Sequence, residues 1–205
     1  MRPHLRAGAA IYNAGRYHPA HDAWEDHWLD LEAGTDDERF LHGLIQFTAA
    51  VHHATNGNWS GATGLAESAG EYLDELPAEY RDVNVADVRE FLATLARDSE
   101  VIERRQPLAL THEGTTIGLA DLDLEATAVA ASVIAESDGW DEGTVDRAGE
   151  YALADAAEGR AESPIVTLLF DFVREPEDRG IVFQRLSEHV ARRRTRAEDV
   201  DGLFE

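Results

Sequence analysis

The sequence predicts a mainly α protein built as a bundle of antiparallel helix hairpins, and three observations predict it. Apolar residues recur three and four positions apart through most of the chain, as one face of a helix requires. Breaks at Asn13-Ala14-Gly15, Gly34 and Asn56-Gly57 end those stretches, because glycine takes the left-handed conformation of a helix C-terminus without steric cost. The pattern Gly15-x-Tyr17-x-x-Ala20 also returns forty-two residues later as Gly57-x-Trp59-x-x-Ala62, with Glu25 and Glu67 in the same register.

A short helix is expected over Arg6 to Asn13. Pro19 suits the first turn of a second, from His18 to about Leu31, with Ala20, Ala23, Trp24, Trp28 and Leu31 at helical spacing. Thr35 caps a third helix, with Glu38 three residues on as the capping-box partner, and that helix runs to about Thr55. A fourth spans about Trp59 to Leu76 and stops before Pro77. The fifth runs from an Asn84 cap to Arg105, with Val85, Val88, Leu92, Leu95 and Ile102 on one side. Residues 108–119 read as a short β-hairpin turning at Glu113-Gly114. Helices then follow over about Leu124–Glu136, Asp141–Glu158, Ile165–Arg174 behind a Ser163-Pro164 start, and Arg179–Arg196. Ile165 to Phe170 is apolar on all sides and therefore central. The basic run Arg192–Arg196 reads as favourable charge at a helix C-terminus rather than as a partner-binding patch.

In the repeated turn, glycine reverses the chain, the aromatic residue wedges the corner and alanine lets two helices approach. The pattern resembles the turn of tetratricopeptide-type helical hairpins. Two regions are expected: a helical N-terminal domain over 1–106, and a C-terminal region over 107–205, hairpin then helices, that could pack onto the first.

Composition narrows the setting. A chain of 205 residues with 43% hydrophobic content can bury a substantial core. No apolar run is long enough to span a membrane and no secretory leader is apparent, so a cytoplasmic protein is expected. The absence of cysteine excludes disulfides and thiolate metal sites, leaving His, Asp and Glu as possible ligands. Acidic residues outnumber basic ones 41 to 18, and every basic residue is Arg. That pattern is the one expected of an extreme halophile, whose acidic surface retains water and cations against concentrated salt. The net charge of −23 repels nucleic acid in dilute salt, but at molar salt the screening length is only about 3 Å, so charge alone does not decide. No spacing gathers Arg and aromatic residues on one face, so nucleic acid is not an expected partner. A protein partner or a second copy of the chain stays open.

Seven of the nine histidines lie in the first quarter of the chain: His4, His18, His21, His27, His42, His52 and His53. Helical spacing places His18, His21, Asp22 and Glu25 in one stripe of the second helix, and Glu38, His42, Gln46, Ala49 and His53 in one stripe of the third. If the stripes face each other they enclose a polar pocket of His18, His21, Asp22, Trp24, Glu25, Trp28, Gln46 and His53. Imidazoles and carboxylates from facing helices are how helical bundles hold divalent metals, and His21, Asp22, Glu25 and His53 are the candidate ligands. The same residues suit metal-free acid–base chemistry, or a buried network that fixes helix packing.

The segments His18-Pro-Ala-His21-Asp22-Ala-Trp24-Glu25-Asp-His-Trp28, Phe40-Leu-His-Gly43-Leu44-Ile45-Gln46, Ala49-Ala50-Val-His52-His53, Gly57-Asn58 and Gly61-Ala62 resemble the helical family called domain of unknown function 309. The likeness covers about residues 11 to 76. It implies an all-helical fold with His21, Asp22, Glu25, Gln46 and His53 as shared polar positions; Asp22 stands where that family usually has Glu. It implies no activity. The sequence thus supports a helical protein of unassigned activity with a His/carboxylate pocket able to take a divalent metal, or else a non-enzymatic protein-interaction module whose polar residues form a structural hydrogen-bond network. Whether the protein is an enzyme stays open.

Overall fold

A computed structural model describes the backbone of residues 1–201 and the side chains of 1–196. The fold is mainly α, and the chain divides into two compact units, Met1–Asp121 and a second beginning at Leu122. No described helix is long and apolar enough to cross a membrane.

The first unit contains α1 (Arg2–Asn13), α2 (Tyr17–Leu29), α3 (Asp36–Thr55), α4 (Trp59–Leu73) and α5 (Val85–Arg97). Each packs on the next in chain order, so the bundle grows hairpin by hairpin. Its core holds Trp24, Tyr12, Phe40, Phe47, Leu41 and Leu44, all essentially without solvent contact. The two repeated turns share one hydrogen-bond pattern. Gly15 and Gly57 sit at φ of 80° and 73°. Their amides reach the carbonyls of Tyr12 and Ala54, and the next amides, of Arg16 and Asn58, reach Ile11 and His53 at 3.2 and 2.9 Å. This is the Schellman arrangement, which satisfies the last helical carbonyls while reversing the chain. Ala20 and Ala62, at matching places beyond the turns, are fully buried.

Several helix ends differ from the expected ones for identifiable reasons. Helix α1 starts four residues early, at Arg2, with Pro3 in its first turn where no donor is needed. Helix α4 ends at Leu73 because the Arg89 guanidinium takes the carbonyls of Leu73, Asp74 and Leu76, at 3.3, 2.7 and 3.0 Å. Helix α5 stops at Arg97, where Asp98 turns to φ −150°, and a 3₁₀ turn over Ser99–Glu103 carries Val101 into the core. The expected hairpin is present as β1 (Thr111–His112) and β2 (Thr115–Thr116), paired antiparallel around Glu113 and Gly114, both at positive φ. Asn13 anchors it, donating to the carbonyls of Leu110 and Ile117 and accepting from the Leu110 amide.

Among the described residues the second unit is a cluster of four α-helices, α6 (Leu124–Asp138), α7 (Glu142–Ala157), α8 (Pro164–Arg174) and α9 (Arg179–Asp201). Ser163 caps α8 through the Val166 amide, and Ile165, Val166, Leu169, Phe172 and Val173 are buried while Thr167 is exposed, so α8 is amphipathic rather than enclosed on all sides. Helix α9 continues five residues past Arg196, so the run Arg192–Arg196 is not a helix terminus and needs another account.

Candidate metal centre and the adjoining polar network

Helix α2 turns Ala20, Ala23 and Trp24 into the core, and this leaves His18, His21, Asp22 and Glu25 along another face. One donor atom from each of His18, His21 and Asp22 lies within 4.8 Å of the other two, and this is the sole such trio of His and carboxylate groups among the described residues. His21 Nε2 stands 3.6 Å from Asp22 Oδ1 and 3.3 Å from Glu25 Oε2. His18 is exposed, while His21, Asp22 and Glu25 are half-buried. The α3 residue that meets this face is His52, whose ring centroid is 5.4 Å from that of His18. Burial, reinforced by His18 and His53, lowers the His52 pKa and favours the neutral imidazole.

A second network runs along α3. Glu38 accepts the Trp28 indole N–H at 3.0 Å and the Gly34 amide at 3.2 Å, and its Oε1 lies 3.6 Å from His42 Nδ1. The capping box therefore forms with a shift: Thr35 accepts the Glu38 amide, but the Glu38 carboxylate returns to Gly34 instead of Thr35. Burial acts to raise the Glu38 pKa, but the Trp28, Gly34 and His42 contacts outweigh it and hold the carboxyl below its ordinary range. Gln46 Nε2 is 3.0 Å from His42 Nε2, so the consistent tautomer carries its proton on Nδ1, toward Glu38, and accepts from the Gln46 amide. Tyr72 of α4 and Trp28 close over the His42 ring at centroid distances of 4.0 and 4.6 Å.

The sequence-derived candidates thus fall into distinct places. His18, His21, Asp22 and Glu25 gather on α2. Trp28 and Gln46 join the Glu38–His42 network. His53 belongs to the α3–α4 turn, where it takes the Asn58 amide group at 2.7 Å while Asn58 Oδ1 accepts the Gly61 amide. Gly61 leaves room for this, since a Cβ there would sit 2.7 Å from Asn58 Nδ2 and 3.1 Å from His53 Nδ1. Trp24 is fully buried, its indole N–H on the His4 carbonyl at 2.9 Å. His52 and Tyr72 are the additions that periodicity within one helix does not reveal.

Glu38→Gln should destabilise the protein by about 1.5–3 kcal/mol, because it removes an ionised acceptor from a largely buried network. Thermal melting of the two proteins at neutral pH checks this, and an unchanged midpoint would show that the network carries no stability.

The chain matches no curated protein. The family model described as Domain of unknown function (DUF309) matches residues 5–65, a segment running from α1 into α4 that contains the α2 cluster and the Glu38–His42–Gln46 chain.

Proposed function

We propose that the α2 face bearing His18, His21 and Asp22 binds a divalent metal ion, with Glu25, 3.3 Å from the same His21 nitrogen, as a further acidic group beside it. The observation that carries this reading is the convergence of the three donors within 4.8 Å. Metal–ligand bonds of about 2.0–2.2 Å separate adjacent donors by roughly 3.0–3.6 Å, so closure by about an ångström completes the set. His21 and Asp22 already stand at 3.6 Å. Two imidazoles and a carboxylate suit zinc or manganese more than calcium, which prefers oxygen alone. The exposed side of His18 leaves positions for water or a fourth ligand. What the metal would do chemically is unassigned.

The test is titration of chelator-treated, untagged protein with Co²⁺, read by visible absorption, and with Zn²⁺ by calorimetry. One equivalent should bind. His21→Ala should weaken binding by at least tenfold, and Glu25→Gln should also weaken it, through loss of a negative charge beside the bound ion. Affinity should fall on acidification as protons compete for the ligands. His42→Ala, in the other network, should leave affinity unchanged. Failure to bind either ion, or binding indifferent to His21→Ala, would reject the site.

The second network supports the structural alternative for its own residues. Glu38, His42 and Gln46 partner one another along α3, and Trp28 and Tyr72 enclose them from α2 and α4. Such a chain sets the register of three helices without any ligand.

A further inference from the structure

We propose that the second unit carries a binding site for a small phosphate-bearing ligand, formed where α9 passes the end of α7 and the start of α8. On α9, His189, Arg192, Arg193 and Arg196 follow the spacing i, i+3, i+4, i+7 and so form one stripe. Together with Arg160, from the α7–α8 loop, they line a cavity of about 500 Å³. Four guanidiniums face one lining carboxylate, Asp155, in a chain whose net charge is −23.

Asp155 holds this group in position. Its side chain is only 6% exposed, yet it pairs with both Arg160 and Arg193, the latter at 2.8 Å. Burial acts to raise the Asp155 pKa, but Ser163, Arg160 and Arg193 outweigh it and keep the carboxyl below its ordinary range. Arg193 is further fixed by the Tyr151 carbonyl at 3.2 Å and by the Tyr151 ring, 4.3 Å from its Cζ. Two guanidinium planes are therefore set before any ligand arrives, which lowers the ordering cost of binding. Arg192 donates to the Glu188 carbonyl at 3.0 Å and lies 3.9 Å from its carboxylate on the exposed helix surface, and Arg196 pairs with no carboxylate among the described residues. Ser163, Pro164 and Ile165 complete the lining with the N-terminus of α8, whose dipole favours negative charge.

Beyond Asp155, Arg160 also pairs with Glu158 and Arg192 stands near Glu188, yet the four forks keep donors that a phosphomonoester, with three oxygens, can take several at once. A volume of about 500 Å³ lies within the range of small-molecule pockets. In dilute salt the strongly acidic chain outside the cavity also disfavours an extended polyanion. A compact phosphorylated molecule fits both facts better than a nucleic acid.

The test uses the full chain at fixed ionic strength, with inorganic phosphate, adenosine 5′-monophosphate and adenosine as probes in calorimetry. Phosphate and the nucleotide should bind, and adenosine should not. R192Q/R196Q should lose at least tenfold in affinity with an unchanged melting temperature. R196Q alone, at an exposed position, should lose at least threefold and serves if the double variant folds poorly. No binding of phosphate or the nucleotide at millimolar concentration, or affinity unchanged in folded variants, overturns the site. A single-stranded oligonucleotide that binds more tightly than the nucleotide, in proportion to its length, overturns the small-ligand assignment.

Discussion

Trp24→Ala is expected to destabilise the N-terminal unit by about 3–5 kcal/mol, and Gly8→Ala by about 1–3 kcal/mol, for one shared reason. Trp24 is without solvent contact, and its ring lies on α1 where Gly8 leaves a gap. A Cβ built at Gly8 would stand 2.2 Å from both Cε2 and Nε1 of the indole. No rotation relieves that overlap, because the indole N–H is also held by the His4 carbonyl at 2.9 Å. Alanine at position 8 therefore forces α1 and α2 apart, although it favours the helix by intrinsic propensity. Combining Gly8→Ala with Trp24→Phe, whose smaller ring withdraws from the crowded position, should cost less than the sum of the two single changes. Urea unfolding followed by circular dichroism measures this cycle. Strict additivity would show that the contact is not what makes Gly8 necessary.

The same crossing illustrates what the sequence could and could not supply. Helix order was legible because glycine and cap signals are local: Gly15 and Gly57 adopt positive φ, and Thr35 and Ser163 accept the amides that their positions imply, whereas the Asn84 side chain makes no cap bond and accepts the Thr111 amide instead. Ends set by distant groups were not legible. Nothing near Leu73 announces that Arg89 will take its carbonyl, and the break at Asp98 falls inside an otherwise continuous apolar stripe.

At the candidate metal centre, the stripe of His18, His21, Asp22 and Glu25 follows from helical spacing alone. Which residue of α3 faces it does not. His52 and His53 are adjacent, about 100° apart around the helix, and only the packing of α2 on α3 brings His52 to His18 while His53 closes a turn with Asn58. The basic run on α9 shows the same limit. Its residues are contiguous in sequence, but the carboxylate that organises Arg193 lies 38 positions earlier, on α7.

That carboxylate is the second place where a single change should be costly. Asp155→Ala is expected to destabilise the C-terminal unit by about 3 kcal/mol, because it leaves Arg193 without the anion that positions it and Arg160 with Glu158 alone. The lower end of the range for buried pairs applies, since Arg160 and Arg193 keep 50% and 30% of their side-chain surface exposed and can rehydrate. Asp155→Asn keeps the shape and removes the charge, which separates the electrostatic part from packing. Because the folded carboxyl has a lowered pKa, its contribution is fully present above the unfolded value of about 3.9 and is lost as the pH falls through the folded one. The stability gap between wild type and Asp155→Asn should thus hold constant from neutral pH down to about pH 5 and close only under stronger acid. Hydrogen exchange of α7 and α9 amides reads this unit directly. A gap that already closed near pH 6 would remove Asp155 as the organising charge.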